Sequence, residues 1–305
     1  MQDGSKKAII AAFMANLGIA IAKFIGFLIT ASAGLLAEAV HSLADTANQG
    51  LLLLGSKRAE RDRGDRLFGH GNERYFWAFI VALVMFSMGG LFALYEGIQK
   101  LREPHEADNL PVAIVILVAA ILMEGYSLRT AAIEARRHKP PAMSWFRFIR
   151  ATRSPELPTV LLEDFAAEIG LVLALTGVIV AHVTGEPRWD AAGSIAIGVL
   201  LVAVAFILAR EMKSLLLGEA ATAETAQAIT EAMTRSPHVV TVIDVRTFHA
   251  GPEELLVAAK VEFDRSLNFE QLAHAIDDLE AQTRAAVPIA KAMYIEPDVF
   301  RTRPR

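Results

Sequence analysis

The chain has no cysteine among its 305 residues, which excludes disulfide scaffolds, thiolate metal sites and cysteine nucleophiles together. Charge of one sign is also lacking. The 34 acidic and 30 basic residues leave a net charge of −4 with no long block of either sign, so nucleic acid finds no electrostatic footprint. Polar surface is what the chain lacks most: 53% of its residues are hydrophobic and the mean hydropathy is +0.38, which does not suit a soluble globular surface. The chain reads as a membrane protein.

Crossing a bilayer as a helix takes about 20 mostly apolar residues, and six such runs are present, near residues 8–31, 34–55, 75–98, 110–133, 160–183 and 191–210. The first has a basic start, but its apolar stretch is too long for a signal-peptide core and lacks a convincing cleavage site, so it is expected to be retained as a span. The short connections hold Lys100, Arg102 and Arg188. The longer ones are far more basic, with Lys57, Arg58, Arg61, Arg63, Arg66 and Arg74 in one and Arg136, Arg137, Lys139, Arg147, Arg150 and Arg153 in the other. The positive-inside rule then predicts a multi-pass protein with both termini cytoplasmic; the cell (inner) membrane is its expected location. Tyr75, Phe76 and Trp77 suit an interfacial aromatic belt.

After Gly218 the composition becomes that of a polar α/β module. Alternation in "VVTVIDVRTF" and "LLVAAKVEF" predicts strands, and "SLNFEQLAHAIDDLEAQTRA" an amphipathic helix. A helix near 222–234 and a strand near 290–296 complete an αββαβ order. Residues 211–305 carry 15 acidic against 10 basic residues, a net −5. The expected domains are therefore 1–213, a six-span transmembrane domain, and 214–305, a cytoplasmic dimerisation or regulatory module whose open sheet edges favour pairing with a second copy.

Two expected spans carry charge where charge costs most. Glu38, His41, Asp45 and Asn48 fall three and four residues apart and form one ridge on the second span. Asp164 and Glu168 do the same on the fifth, with Glu163 about 100° off their face. An ionised side chain at the bilayer centre costs at least ~2.5 kcal/mol, so two such ridges imply a compensating divalent cation. Imidazole and carboxylates bind it reversibly, and they must lose protons first, which couples metal to proton movement. Other roles exist for each group. His41 alone also suits a hydrogen bond between helices. Lys23 in the first span pairs with Asp45 and Asp164, neutralises their site or snorkels. Glu38, near the outer mouth, is solvated or functional. Glu124 is a relay acid or an interfacial partner of Arg129. No H-E-x-x-H pattern occurs, and the only other histidine in the spans is His182 at an edge, so an intramembrane metalloenzyme has too few donors. A passive channel would need a continuous pore with several weak sites.

The segments "LLAEAVHSLADTANQGLLLLG", "FGHGNERYFW" and "WDAAGSIAIGVLL", with the αββαβ tail, resemble the cation diffusion facilitator family of divalent-metal transporters over nearly the whole chain. The resemblance implies a six-helix transmembrane domain with a ferredoxin-like α+β cytoplasmic domain, homodimers, and export of Zn²⁺ or a related ion in exchange for protons. It matches His41 and Asp45 to the family's second-span ligands and Asp164 to its fifth-span acid. Val160 stands where a histidine is usual, leaving Glu163, Glu168, Asn48 or water as the fourth ligand, and the Leu-Glu-Asp segment points to a branch with zinc transporters. Mn²⁺, Fe²⁺ and Co²⁺ remain compatible substrates. No permanent cofactor is expected. Ile243 and Ala259 replace tail histidines of many relatives, leaving His249, Glu296 and Asp298 as a weaker tail site, and His70 with Arg63 and Arg66 as a depleted loop site.

Overall fold

A computed structural model of the chain describes residues 3–59, 70–104 and 109–301, with backbone only for residues 3–16 and positions 33, 138 and 151. Arg61, Arg63 and Arg66 lie outside the described residues. The described parts of Met1–Ser56 and Phe76–Lys213 form one compact unit, and those of Lys57–Tyr75 and Ser214–Arg305 a second.

The first unit is helical. Helix α1 (Asp3–Thr30) and α2 (Ala33–Ala59) are joined by a two-residue turn in which Ala31 takes φ 51°. Next, α3 (Asn72–Val84), a π-helical stretch (Met85–Leu91) and α4 (Phe92–Arg102) run on as one rod. Then follow α5 (Leu110–His138), the short α6 (Trp145–Ala151), α7 (Glu156–Thr184) and α8 (Arg188–Leu217). Helices of about 29 residues reach roughly 43 Å, beyond the ~30 Å hydrocarbon core.

Four of these rods, Asn72–Arg102, Leu110–Arg137, Glu156–Thr184 and Arg188–Leu217, are long and apolar enough to cross a membrane by composition, and Leu17–Thr30 is a shorter apolar helix. The polar ridge on α2 lowers its hydropathy, although its 27 residues match the others in length. Among the described residues, six long helical rods thus stand where six spans were expected. The core between them is built from Leu35, Met85, Leu117, Leu171, Ile197 and Leu201, each fully buried.

Helix α4 and the π-helical stretch approach α8 with almost no side chain between them. A methyl group on Gly90 would lie 2.7 Å from Val202, one on Gly97 2.9 Å from the Ile195 backbone nitrogen, and one on Gly198 2.8 Å from that of Leu94. The seam ends in a buried ion pair. Lys100 Nζ stands 2.9 Å from Asp190 Oδ2 and donates to the Ala31 carbonyl at 2.9 Å, while Ser32 Oγ donates to Asp190. The expectation that Lys100 and Arg102 lie in a short connection is corrected here: α4 runs on to Arg102, and Lys100 is 2% exposed, because an unpaired ammonium at this depth would be costly.

In the second unit α9 (Ala223–Thr234), β1 (Val239–Gly251), β2 (Glu254–Phe263), α10 (Phe269–Ala286) and β3 (Ala290–Pro297) follow in the expected order. The sheet runs β1-β2-β3, with β1 antiparallel to β2 and β3 parallel to it through the α10 crossover. Alternate residues of β2, Leu255, Val257, Ala259, Val261 and Phe263, are buried against Ile229 and Met233 of α9 and Leu279 of α10. Thr222 caps α9, and Asn268 with Gln271 forms a capping box on α10.

Gly218 has φ 96°, and a Cβ there would stand 1.8 Å from the Phe248 ring. Gly218→Ala is expected to cost about 1–3 kcal/mol through backbone strain alone, with the clash added. A lowered thermal midpoint of the sheet signal checks this; an unchanged one would mean that Phe248 swings away freely.

Candidate functional site

The α2 ridge faces α7 with its middle and lower residues. Asp45 and Glu163 lie within hydrogen-bond reach of each other. Asn48 Nδ2 donates to Glu163 Oε1 at 2.7 Å, and Ser127 Oγ of α5 donates to Asp164 Oδ2 at 3.0 Å. Ser42, Asp45, Gln49, Glu124, Val160, Glu163 and Asp164 line one polar cavity of about 20 Å³, room for a water molecule or a bare ion.

Asp45, Glu163 and Asp164 are therefore brought to one place. His41 stands behind Asp45, its Nδ1 3.5 Å from Asp45 Oδ1, fully buried and with neither ring nitrogen hydrogen-bonded. Among the described residues the alternative of a helix-to-helix hydrogen bond is thus not taken, and an imidazole buried without a hydrogen bond carries a desolvation cost. Glu168 stands apart from the cavity, one turn along α7, its Oε2 buried and unpartnered beside Gly125. Val160 lines the cavity with an alkyl group. Asn48 holds Glu163 and leaves its own Oδ1 unpartnered. Among the described residues no three His, Asp or Glu side chains already stand in metal-ligand geometry. Ligation at about 2 Å therefore requires these side chains to draw closer together than they stand here.

Lys23 corrects two expectations. Its ammonium is fully buried, so it does not snorkel, and its partners are neither Asp45 nor Asp164. It donates to Ser42 Oγ at 2.7 Å and to Glu38 Oε2 at 3.3 Å, with Glu124 Oε1 3.6 Å away. Glu38 is fully buried rather than solvated at a mouth, and Glu124 is 9% exposed, a cavity wall rather than an interfacial partner of Arg129. Ser42, Gln49 and Ser127 were missed in the sequence because polar uncharged residues within a span raise no alarm. Only helical phase, one residue from His41 for Ser42 and one turn from Asp45 for Gln49, signals the two on α2, and Ser127 on α5 carries no such signal.

The tail site does not assemble among the described residues. His249 is buried with Nδ1 3.3 Å from the Gly251 carbonyl, whereas Glu296 and Asp298 stand on Lys260 at 2.9 and 3.7 Å. The hydrogen bond to Glu296 raises the Lys260 pKa, and the Val299 amide holds the Asp298 carboxyl below its usual value. Ala259 packs in the apolar core.

The sequence model of the cation efflux transmembrane domain matches residues 9–217. The human proton-coupled zinc antiporter SLC30A9, mitochondrial, is 34% identical over 263 residues, 86% of this chain and 46% of that protein. Metal tolerance protein C4 of Arabidopsis thaliana is 29% identical over 263 residues, 85% and 57% respectively. The magnetosome protein MamB of a Magnetospira strain is 26% identical over 197 residues, 63% and 61%. The chain spans about half the length of the first of these curated relatives.

Proposed function

The chain belongs to the cation efflux family, and on that premise we propose that it is a transporter rather than an enzyme. It exchanges a divalent metal cation, Zn²⁺ before Mn²⁺, Fe²⁺ or Co²⁺, for protons by alternating access, exporting the metal from the cytoplasm. One observation carries this: Asp45, Glu163 and Asp164, from two neighbouring helices, line a single polar cavity with the unpartnered His41 behind it. Three carboxylates so placed repel one another unless protons or a cation lie among them. A doubly charged guest and a set of protons are therefore alternative occupants of the same groups, which is the coupling an antiporter needs.

Asp45 and Asp164 supply oxygen ligands, His41 a nitrogen once its ring rotates past Asp45, and Glu163 the fourth position, steadied by Asn48. Glu168, the competing candidate for that position, stands one turn along α7 from Asp164, and Glu163 is preferred because it lines the cavity. The name of the human relative, a proton-coupled zinc antiporter, supports zinc and proton coupling. The basic residues of the α5–α7 connection support cytoplasmic termini, the open edges of the three-stranded sheet support a homodimer, and residence in the cell (inner) membrane is part of the same proposal. The domain division at 213/214, with a regulatory tail, belongs to the same proposal.

In proteoliposomes, Zn²⁺ uptake is expected to follow an imposed inside-acid pH gradient and to cease when an exchanging ionophore collapses it. Flux that follows the zinc gradient alone, indifferent to pH difference, would make the chain a passive channel.

A further inference from the structure

We propose that the segment joining α5 to α7 is a docking surface for anionic phospholipid headgroups in the leaflet beside it. Between Ala135 and Pro155 every charged residue is positive: Arg136, Arg137, Lys139, Arg147, Arg150 and Arg153. The nearest carboxylates in sequence, Glu134 and Glu156, lie outside that stretch.

Helix α6 is fixed in place within the segment. Ser144 Oγ caps it by accepting from the Arg147 amide, and Phe148, 6% exposed, packs with Ala135 of α5 and Leu161 of α7. Seating Phe148 inward turns the rest of the helix outward. Phe146 is 66% exposed and Trp145 37%. Lys139 Nζ stands 5.6 Å from the Trp145 ring centroid, and the Arg150 guanidinium 5.6 Å from that of Phe146. Rings and cations are thus presented side by side.

Two helices long enough to cross a bilayer end and begin at this segment, which puts it at the boundary between hydrocarbon and water. There an exposed indole and phenyl enter the headgroup layer, and neighbouring cations meet lipid phosphate. Arg137 and Arg150 are partly satisfied by Glu134 and Glu211. Arg136 and Arg147 are exposed and make no ion pair among the described residues, so their charge is available to a ligand of opposite sign. Charge complementarity at that depth selects anionic lipid over a soluble acidic partner.

The test uses the full chain, purified in neutral detergent and exposed to equimolar phosphatidylglycerol and phosphatidylcholine, with bound lipids counted by native mass spectrometry. Wild type is expected to retain phosphatidylglycerol preferentially. The Arg136→Gln/Arg147→Gln double variant is expected to lose that preference by roughly 10-fold, while Arg235→Gln/Arg246→Gln, which removes as much charge from the tail, is expected to keep it. No preference in wild type, or an equal loss in the tail variant, would overturn the proposal. Since the readout is bound lipid, the outcome is independent of whether the chain transports zinc.

Discussion

Asp45→Asn and Asp164→Asn proteins are each expected to fold normally and to lose metal-driven flux by about 100-fold or more. Disturbing a group that merely orients a ligand commonly costs 10–100-fold in metal affinity, and these two side chains are the proposed ligands themselves. Their loss of function has a counterpart in stability. Asp45 lies within hydrogen-bond reach of Glu163, so an amide at either carboxylate relieves repulsion between like charges in a low-dielectric setting and leaves the shape intact. Thermal unfolding in detergent is therefore expected at or above the wild-type midpoint, while zinc uptake into proteoliposomes is absent. Glu168→Gln, away from the cavity, is expected to keep flux within about 2-fold, and Glu163→Gln to fall between the two. Undiminished uptake by the Asp45 or Asp164 variant removes that residue from the transport path; a large loss in Glu168→Gln moves the fourth ligand one turn along α7.

Lys23→Met is expected to do the opposite: to damage the fold before the chemistry. Glu38 is fully buried, its Oε1 has no hydrogen bond, and its Oε2 meets only the Lys23 ammonium among the described residues. Breaking one half of a buried ion pair costs about 3–5 kcal/mol because the surviving charge is stranded, and within a bilayer it has no water to turn to. The double variant Lys23→Met/Glu38→Gln is expected to recover most of the loss, since the stranded charge goes too. A thermal-stability cycle over the two single variants and the double one reads this coupling. Additive effects would mean that the pair is adjacent without being joined.

The particular residues indicate what a single sequence can carry. Hydropathy locates the long helices because about 20 apolar residues have few other uses, and strict alternation locates β2, whose odd-numbered residues from 255 to 263 are all buried. The ridge on α2 is legible because charge in an apolar run is an anomaly. Partners are not legible, since they depend on the rotation of one helix against another. Asp164 and Glu168 share a face four residues apart, which favours them as a pair in the sequence. In the structure α7 lies between α2 and α5, so adjacent residues straddle the cavity: Glu163 turns to Asn48 of α2 and Asp164 to Ser127 of α5. Lys100 and Asp190 look like loop charges for the same reason, as each lies near the end of its apolar run and only the folded bundle brings them together. The π-helical stretch leaves no mark in "MFSMGGL" beyond a pair of glycines.

The glycine contacts between α4 and α8 bear on which parts of such a molecule are free to shift. Backbones that touch at Gly90, Gly97 and Gly198, bolted at one end by Lys100 and Asp190, have no compressible layer of side chains in which one rod might slide on the other. These two behave as a keel. Under the proposed alternating access, the motion that opens the carboxylate cavity to one side and then the other falls to the remaining long helices, α1, α2, α5 and α7, two of which, α2 and α7, carry the proposed ligands.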